Sequence, residues 1–183
     1  MKPWKRIEPT ISTKIDYHNV IIKTFELPDS TIATRATFLA EDRQAAGVIA
    51  VTKDNMVIVA RQYRPGPEKF MNEIPGGYVD VNEAPETAAR RELLEETGYE
   101  AGSIFSLGAF DRDAYMNGTW HYFLAIDCEP ASSQTLDHDE FVSVELLSIQ
   151  AFVDNAKKGL MTDPYAVLAA YDKLMEIQEK EIA

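Results

Sequence analysis

Cysteine, positive charge and long apolar runs are all scarce in this chain, and each scarcity closes off a class of function. The one cysteine, Cys128, has no partner for an intramolecular disulfide, which suits a reducing compartment. It stands at the end of an apolar run, where a small buried hydrophobe is the commoner role than a nucleophile. No run approaches the roughly 18 apolar residues that a membrane span needs, and MKPWKRIEPT lacks the apolar core of a secretory leader. The expectation is a cytoplasmic protein with no membrane partner. Lysine and arginine total 18 against 30 aspartate and glutamate, a net charge of −12 that repels polyphosphate backbones at long range. Nucleic acid is therefore not an expected partner. A small anionic ligand is compatible with that charge if local cations or bound metal reverse the sign at its site.

What is present is the balance of an ordinary globular protein, 45% hydrophobic and 26% charged, and 183 residues can bury one good core. Residues 1–16 are polar and mixed, with Trp4 and Tyr17 as isolated aromatics, either core anchors or ring-stacking groups. Val20–Leu27 and Thr31–Leu39 flank Pro28-Asp29-Ser30 as a hairpin. Ala45–Thr52 and Met56–Tyr63 read as strands covered on both faces. Arg61 and Arg64 close the second of these as a candidate anion clamp, the alternative being a pair of surface salt bridges. Phe70–Pro75 then leads into Gly76-Gly77.

Pro85 followed by Glu86 predicts a helix start, and Gly98 supplies a left-handed stop. Ile104–Phe110, Thr119–Asp127 and Phe141–Leu147 are further strand candidates, with polar loops at Asp111–Gly118 and Ala131–Glu140. Ser148 caps a helix to Lys158, and Thr162-Asp163-Pro164 starts a last one whose Tyr165, Leu168, Tyr171 and Met175 recur at helical spacing as an expected core stripe. The order reads as a mixed α/β sandwich of sheet and helices.

The stretch Gly77–Tyr99 carries the chemistry. Residues three and four apart share a helix face, so Glu92, Glu95 and Glu96 stand together. Like charges at that spacing are a liability unless a cation sits among them. Hard oxygen ligands, with neither cysteine nor a histidine pair nearby, favour magnesium or manganese over zinc. Arg91, one turn before Glu95, can orient it, and Glu83 can tie loop to helix. Gly76 and Gly77 allow backbone to approach a metal or phosphate closely.

Gly77, five residues, Glu83, seven residues, then Arg91-Glu92-Leu93-Leu94-Glu95-Glu96-Thr97-Gly98-Tyr99 resembles a complete Nudix box. RQYRPG followed by EIPGG resembles the ADP-ribose and nucleoside-diphosphate-sugar pyrophosphatase branch of that family. The resemblance implies a Nudix-type α/β/α sandwich with a mixed sheet over 43–183, and an N-terminal β-rich extension over 1–42 that helps form a homodimer. It implies Mg2+, or Mn2+, held by Glu92, Glu96, the Gly76 carbonyl and, in part, Glu95. It places the water-activating base on a late loop, where Glu140, Asp139 and Asp137 stand, with Glu140 first. Arg61 and Arg64 would hold phosphate or the terminal sugar, and Trp4 or Tyr17 would stack on the base.

The implied reaction is hydrolysis of a nucleotide sugar such as ADP-ribose, GDP-mannose, ADP-glucose or UDP-glucose to a nucleoside monophosphate and a sugar phosphate. ADP-ribose-specific members carry a proline a short way past the box, where this chain has Tyr115, Met116 and Asn117 in the loop Asp111–Gly118, so narrow specificity is not implied. A tyrosine there is similar to dinucleoside-polyphosphate hydrolases, and a non-catalytic Nudix-fold sensor of nucleotide sugars is the remaining alternative.

Overall fold

The computed structural model describes residues 2–15, 18–138 and 140–182; Tyr17 and Asp139, both candidates above, lie outside the described residues. The chain divides into two compact units, residues 1–44 with 110–119, and residues 45–109 with 120–183.

The first unit is an antiparallel meander of β1 (Lys5–Ile15), β2 (His18–Glu26) and β3 (Ile32–Phe38). The β2–β3 hairpin is the one predicted, its turn closed by Leu27 N–H donating to the Thr31 carbonyl at 2.8 Å and by the Asp29 carboxylate accepting from Thr31 N–H at 3.0 Å. Strand β1 corrects the reading of residues 1–16 as merely polar and mixed. Its pairing with β2 breaks register between Ile7 and Ile11, where Pro9 can donate no ladder hydrogen bond. Asp111–Gly118 forms the predicted loop, fastened to this meander. Phe38 N–H donates to Tyr115 O and Asn117 N–H to Phe38 O, each at 2.8 Å, while Lys23 Nζ donates to Asn117 Oδ1 at 2.6 Å.

The second sheet has eight strands: β4 (Gln44–Thr52), β5 (Met56–Arg64), β6 (Lys69–Glu73), β7 (Gly76–Tyr78), β8 (Tyr99–Glu100), β9 (Ser103–Phe110), β10 (Thr119–Pro130) and β11 (Ser143–Ser148). Its path runs β11-β5-β4-β10-β8, with β6 on β5, β7 on β4 and β9 on β10. Phe70–Pro75, expected as the lead-in to the glycines, overlaps β6 over residues 70–73. Helix α1 (Pro85–Thr97) covers one face through Ala88, Ala89 and Leu93, against Val48, Ala50, Ile58, Phe123 and Cys128. Side chains alternate along a strand, so the fully buried Val57 and Val59 point to the opposite face, where α2 (Ile149–Lys157) packs on β5 and β11 and α3 (Pro164–Ile182) packs on α2. Each such fully buried aliphatic is worth ~1.5–3 kcal/mol. This is the α/β sandwich the sequence implied.

Two expectations about burial need correction. Phe141 is 83% exposed, because β11 begins two residues later than the apolar pattern suggests. On α3 the stripe Tyr165, Leu168, Tyr171 and Met175 is not core: Leu168 is 77% exposed, and among the described side chains of the helix Ala166, Val167, Ala170 and Leu174 are the buried ones. Alanine lets the helix approach its neighbours closely, and that rotates the larger side chains outward. Among the described residues no helix is long and apolar enough to cross a membrane.

Candidate active site

Helix α1 begins at Pro85, with Ala84 extended before it and no side-chain cap, and stops at Gly98, whose φ of 76° places it in the left-handed region. Its four-residue spacing turns Glu92 and Glu96 to one side and sinks them. Glu96 is 6% exposed, and burial together with the nearby Glu92 charge pushes its carboxyl up to about 8. Glu92 is raised chiefly by burial, against the pull of Arg91.

Arg91 is the hub of the box. Its Nε and NH2 donate to Glu83 at 3.0 and 3.1 Å, its NH1 to Glu92 and Glu95 at 2.8 and 2.9 Å, and its NH2 also to Tyr78 O at 3.1 Å. Hydrogen bonding to Arg91 holds Glu83 below its ordinary range, and Asp80 N–H donates to the same carboxylate. Glu83 thus ties loop to helix, as the sequence suggested.

The two glycines answer to contacts. A side chain on Gly76 would run into the backbone of Ala46 and Gly47 on β4, and one on Gly77 would overlap the Glu92 carboxylate. Gly76 N–H donates to Glu96 Oε2 at 3.1 Å, so β7 and α1 are joined at the acid itself.

The late loop is fastened to the end of the same helix. The carbonyls of its last turn lack helical donors. Gln134 Nε2 donates to Glu96 O at 2.6 Å and Thr135 N–H to Glu95 O at 2.8 Å, while Ala131 and Ser132 N–H both reach Gly98 O. The Gln134 amide also donates to Val142 O, and Asp137 and Glu140 close a turn on each other through Glu140 N–H to Asp137 O and Asp137 N–H to Glu140 Oε2. Glu140 therefore stands within electrostatic reach of both Glu92 and Glu96. No sequence signal marks Gln134, since its role depends on where the loop returns.

The two arginines of β5 are separated. Three residues apart on a strand, they point to opposite faces. Arg64 shares the α1 face, within electrostatic reach of Glu96, and bonds Glu73. Arg61 faces the other way, bonding Glu145 at 3.2 Å and standing over the Phe70 ring. They do not form one clamp. Trp4 is 47% exposed, edge-on to Phe25, with the Arg35 guanidinium over its ring. Cys128 is buried and its thiol is pushed up to about 11 by burial, the behaviour of a packing residue.

Among the described residues no three acidic, histidine or cysteine side chains are gathered as a ready coordination shell. Arg91 draws Glu92 and Glu95 to itself while Glu96 turns to Gly76. The donor set nevertheless fits a hard divalent ion. Glu83, Glu92 and Glu95 share one bonded guanidinium, Glu140 lies within electrostatic reach of Glu92 and Glu96, and Gly77 leaves Glu92 room that a methyl group would fill.

The NUDIX domain matches residues 41–170. The methanol dehydrogenase activator of Bacillus methanolicus is 30% identical over 178 residues, 94% of each chain. The ADP-ribose pyrophosphatase of Bacillus subtilis is 32% identical over 134 residues, 72% of this chain and 71% of that one. A crystal structure of an ADP compounds hydrolase superposes with a TM-score of 0.80 at 19% identity, over 100% of this chain and 97% of the other, and shows the same fold.

Proposed function

Because the chain belongs to the Nudix family, as a pyrophosphatase of its ADP-ribose branch, we propose that it hydrolyses the diphosphate of ADP-ribose and related nucleotide sugars, including GDP-mannose and ADP- or UDP-glucose. The observation that carries this is the sunken pair Glu92 and Glu96 with Glu140 in electrostatic reach, on the sheet face that also presents Arg64.

Glu92, Glu96, the Gly76 carbonyl and, in part, Glu95 would hold Mg2+ or Mn2+. Such an ion would supply positive charge against the diphosphate and would make the attacking water more acidic. Glu140 takes the proton as the water oxygen forms its bond to phosphorus, with Asp137 and Asp139 as the other carboxylates of that loop. The bridging P–O bond breaks, leaving a nucleoside monophosphate and a sugar phosphate. Arg91 keeps Glu92 and Glu95 from swinging apart. Arg64 is the phosphate contact; Arg61, on the opposite face, is left to the periphery of the substrate. The N-terminal meander is the surface on which two copies pair in the cytoplasm, and Trp4 and Tyr17 are the rings for base stacking.

The test is a panel of ADP-ribose, GDP-mannose, ADP- and UDP-glucose and diadenosine polyphosphates, scored by kcat/KM with Mg2+ for the wild type and Glu140→Gln. A nucleotide sugar should lead the panel, and Glu140→Gln should lose about a hundredfold or more in kcat. A preference for diadenosine polyphosphates would defeat the substrate reading, and full activity in Glu140→Gln would move the base elsewhere. The relative that matches 94% of this chain is named for activating a dehydrogenase, which favours a second reading in which the same hydrolysis regulates a partner enzyme. Stimulation of methanol dehydrogenase by the wild type, abolished in Glu140→Gln, would support it.

A further inference from the structure

Glu73 is 1% exposed, the lowest value among the described buried polar and charged residues, and its two oxygens are used unequally. Oε2 accepts from Arg64 Nε at 2.7 Å, Arg64 NH2 at 2.5 Å and Gln62 Nε2 at 3.3 Å, whereas Oε1 is buried with no hydrogen-bond partner. A pair kept for stability alone would engage both oxygens in a two-pronged fork. A buried charge pair with an orphaned oxygen is instead a poor stabiliser, because desolvation consumes much of the attraction.

The one-oxygen grip has a geometric result. It engages Nε and NH2 and leaves NH1 of Arg64 unengaged among the described residues. Register supplies the rest: Glu73 pairs with Ala60 across β5 and β6, so Gln62, Arg64 and Glu73 lie on one face, the face covered by α1. Arg64 is anchored at its Nε edge, and the whole group stands within electrostatic reach of Glu96.

We propose that Glu73 is a positioning residue for substrate. It orients the Arg64 guanidinium so that the free NH1 edge meets the diphosphate, and Gln62 steadies the same oxygen. The proposal rests on the reading of Arg64 as the phosphate contact. A guanidinium already immobilised loses less freedom on binding, so the benefit falls on substrate affinity rather than on the chemical step.

The test is steady-state kinetics of the full chain on ADP-ribose with Mg2+ varied, for Glu73→Gln, Arg64→Ala, Arg64→Lys and the double variant Arg64→Ala/Glu73→Gln. Glu73→Gln should raise KM by about tenfold with kcat within about threefold, the signature of lost uniform binding. The double variant should be no worse than Arg64→Ala alone, and the Mg2+ activation constant should hold. Arg64→Lys should raise KM as well, because an ammonium drawn to Glu73 has no second planar edge to offer. That variant leaves Glu73 intact, so it decides the matter if Glu73→Gln does not fold, and a wild-type KM in it overturns the proposal. Independent multiplication of the two single effects also overturns it. So does a shift in Mg2+ activation as large as the shift in KM, which would place Arg64 in the service of Glu96. A wild-type KM in Arg64→Ala sinks the phosphate-contact reading and the proposal together; impairment there with a normal Glu73→Gln sinks the proposal alone.

Discussion

Helices α1 and α3 both open on a proline and both depart from the rule that charge faces water and apolar groups face the core, but in opposite senses. Helix α1 buries an acid, Glu96, at 6% exposure beside Glu92, whereas α3 leaves Leu168 77% exposed and packs with Ala166, Ala170 and Leu174. An exposed leucine forgoes a gain but costs little, since it is as wet in the unfolded chain. A buried carboxylate costs energy outright. Only α1 therefore carries a departure that folding opposes, and on it the site carboxylates sit.

The contrast is broken most forcefully at Glu96. Glu96→Gln keeps the shape and removes the charge, and should lower kcat by about a hundredfold or more, the loss of several kcal/mol of charge stabilisation. Near-normal turnover at saturating Mg2+ would show that the buried acid on α1 serves no chemistry.

A second effect, on the order of a few kcal/mol, concerns folding of the metal-free protein. The carboxyl of Glu96 stands at about 8 in the folded chain against an ordinary 4.5. Its folded value is the higher one, so the folded state holds the proton more tightly. Its contribution to stability is full below about pH 4.5 and is lost as pH rises to about 8. Chelator-treated wild type should melt at lower temperature at pH 8 than at pH 6, and Glu96→Gln should flatten that trend. A profile unchanged by the substitution would remove Glu96 as its source.

On α3 the expected effects are ordered the other way from the spacing of the apolar stripe. Leu174→Ala should cost about 2–5 kcal/mol by denaturant unfolding, as a fully buried leucine does. Leu168→Ala should stay within about 0.5 kcal/mol in the monomer. Equal costs would mean that the exposed stripe is covered in solution.

Local rules made α1 legible. Pro85 and Gly98 set its ends, the carboxylate spacing gave its acidic face, and the glycine pair announced close backbone approach. The core strands β4 and β5 followed from uninterrupted apolar runs, and Ser148 caps α2 as expected, accepting from Ala151 N–H. What stayed hidden depends on pairing between distant segments. The Arg64–Glu73 pair exists only because β6 returns beside β5 in one register, and the same alternation split Arg61 from Arg64. Gln134 looked like any polar loop residue until the loop came back to the last turn of α1. The spacing of Tyr165, Leu168, Tyr171 and Met175 fitted a helix face, but periodicity does not say which of two adjacent faces turns inward. The small residues beside that stripe decided it.

The contact between Gly77 and the Glu92 carboxylate links two positions far apart in the chain into one unit of inheritance. Lengthening the side chain at 77 displaces the acid at 92, so descendants of this sequence can enlarge the first only by shortening or retracting the second. The coupling runs one way, because a shorter side chain at 92 leaves Gly77 untouched, whereas any side chain at 77 needs the acid moved aside first.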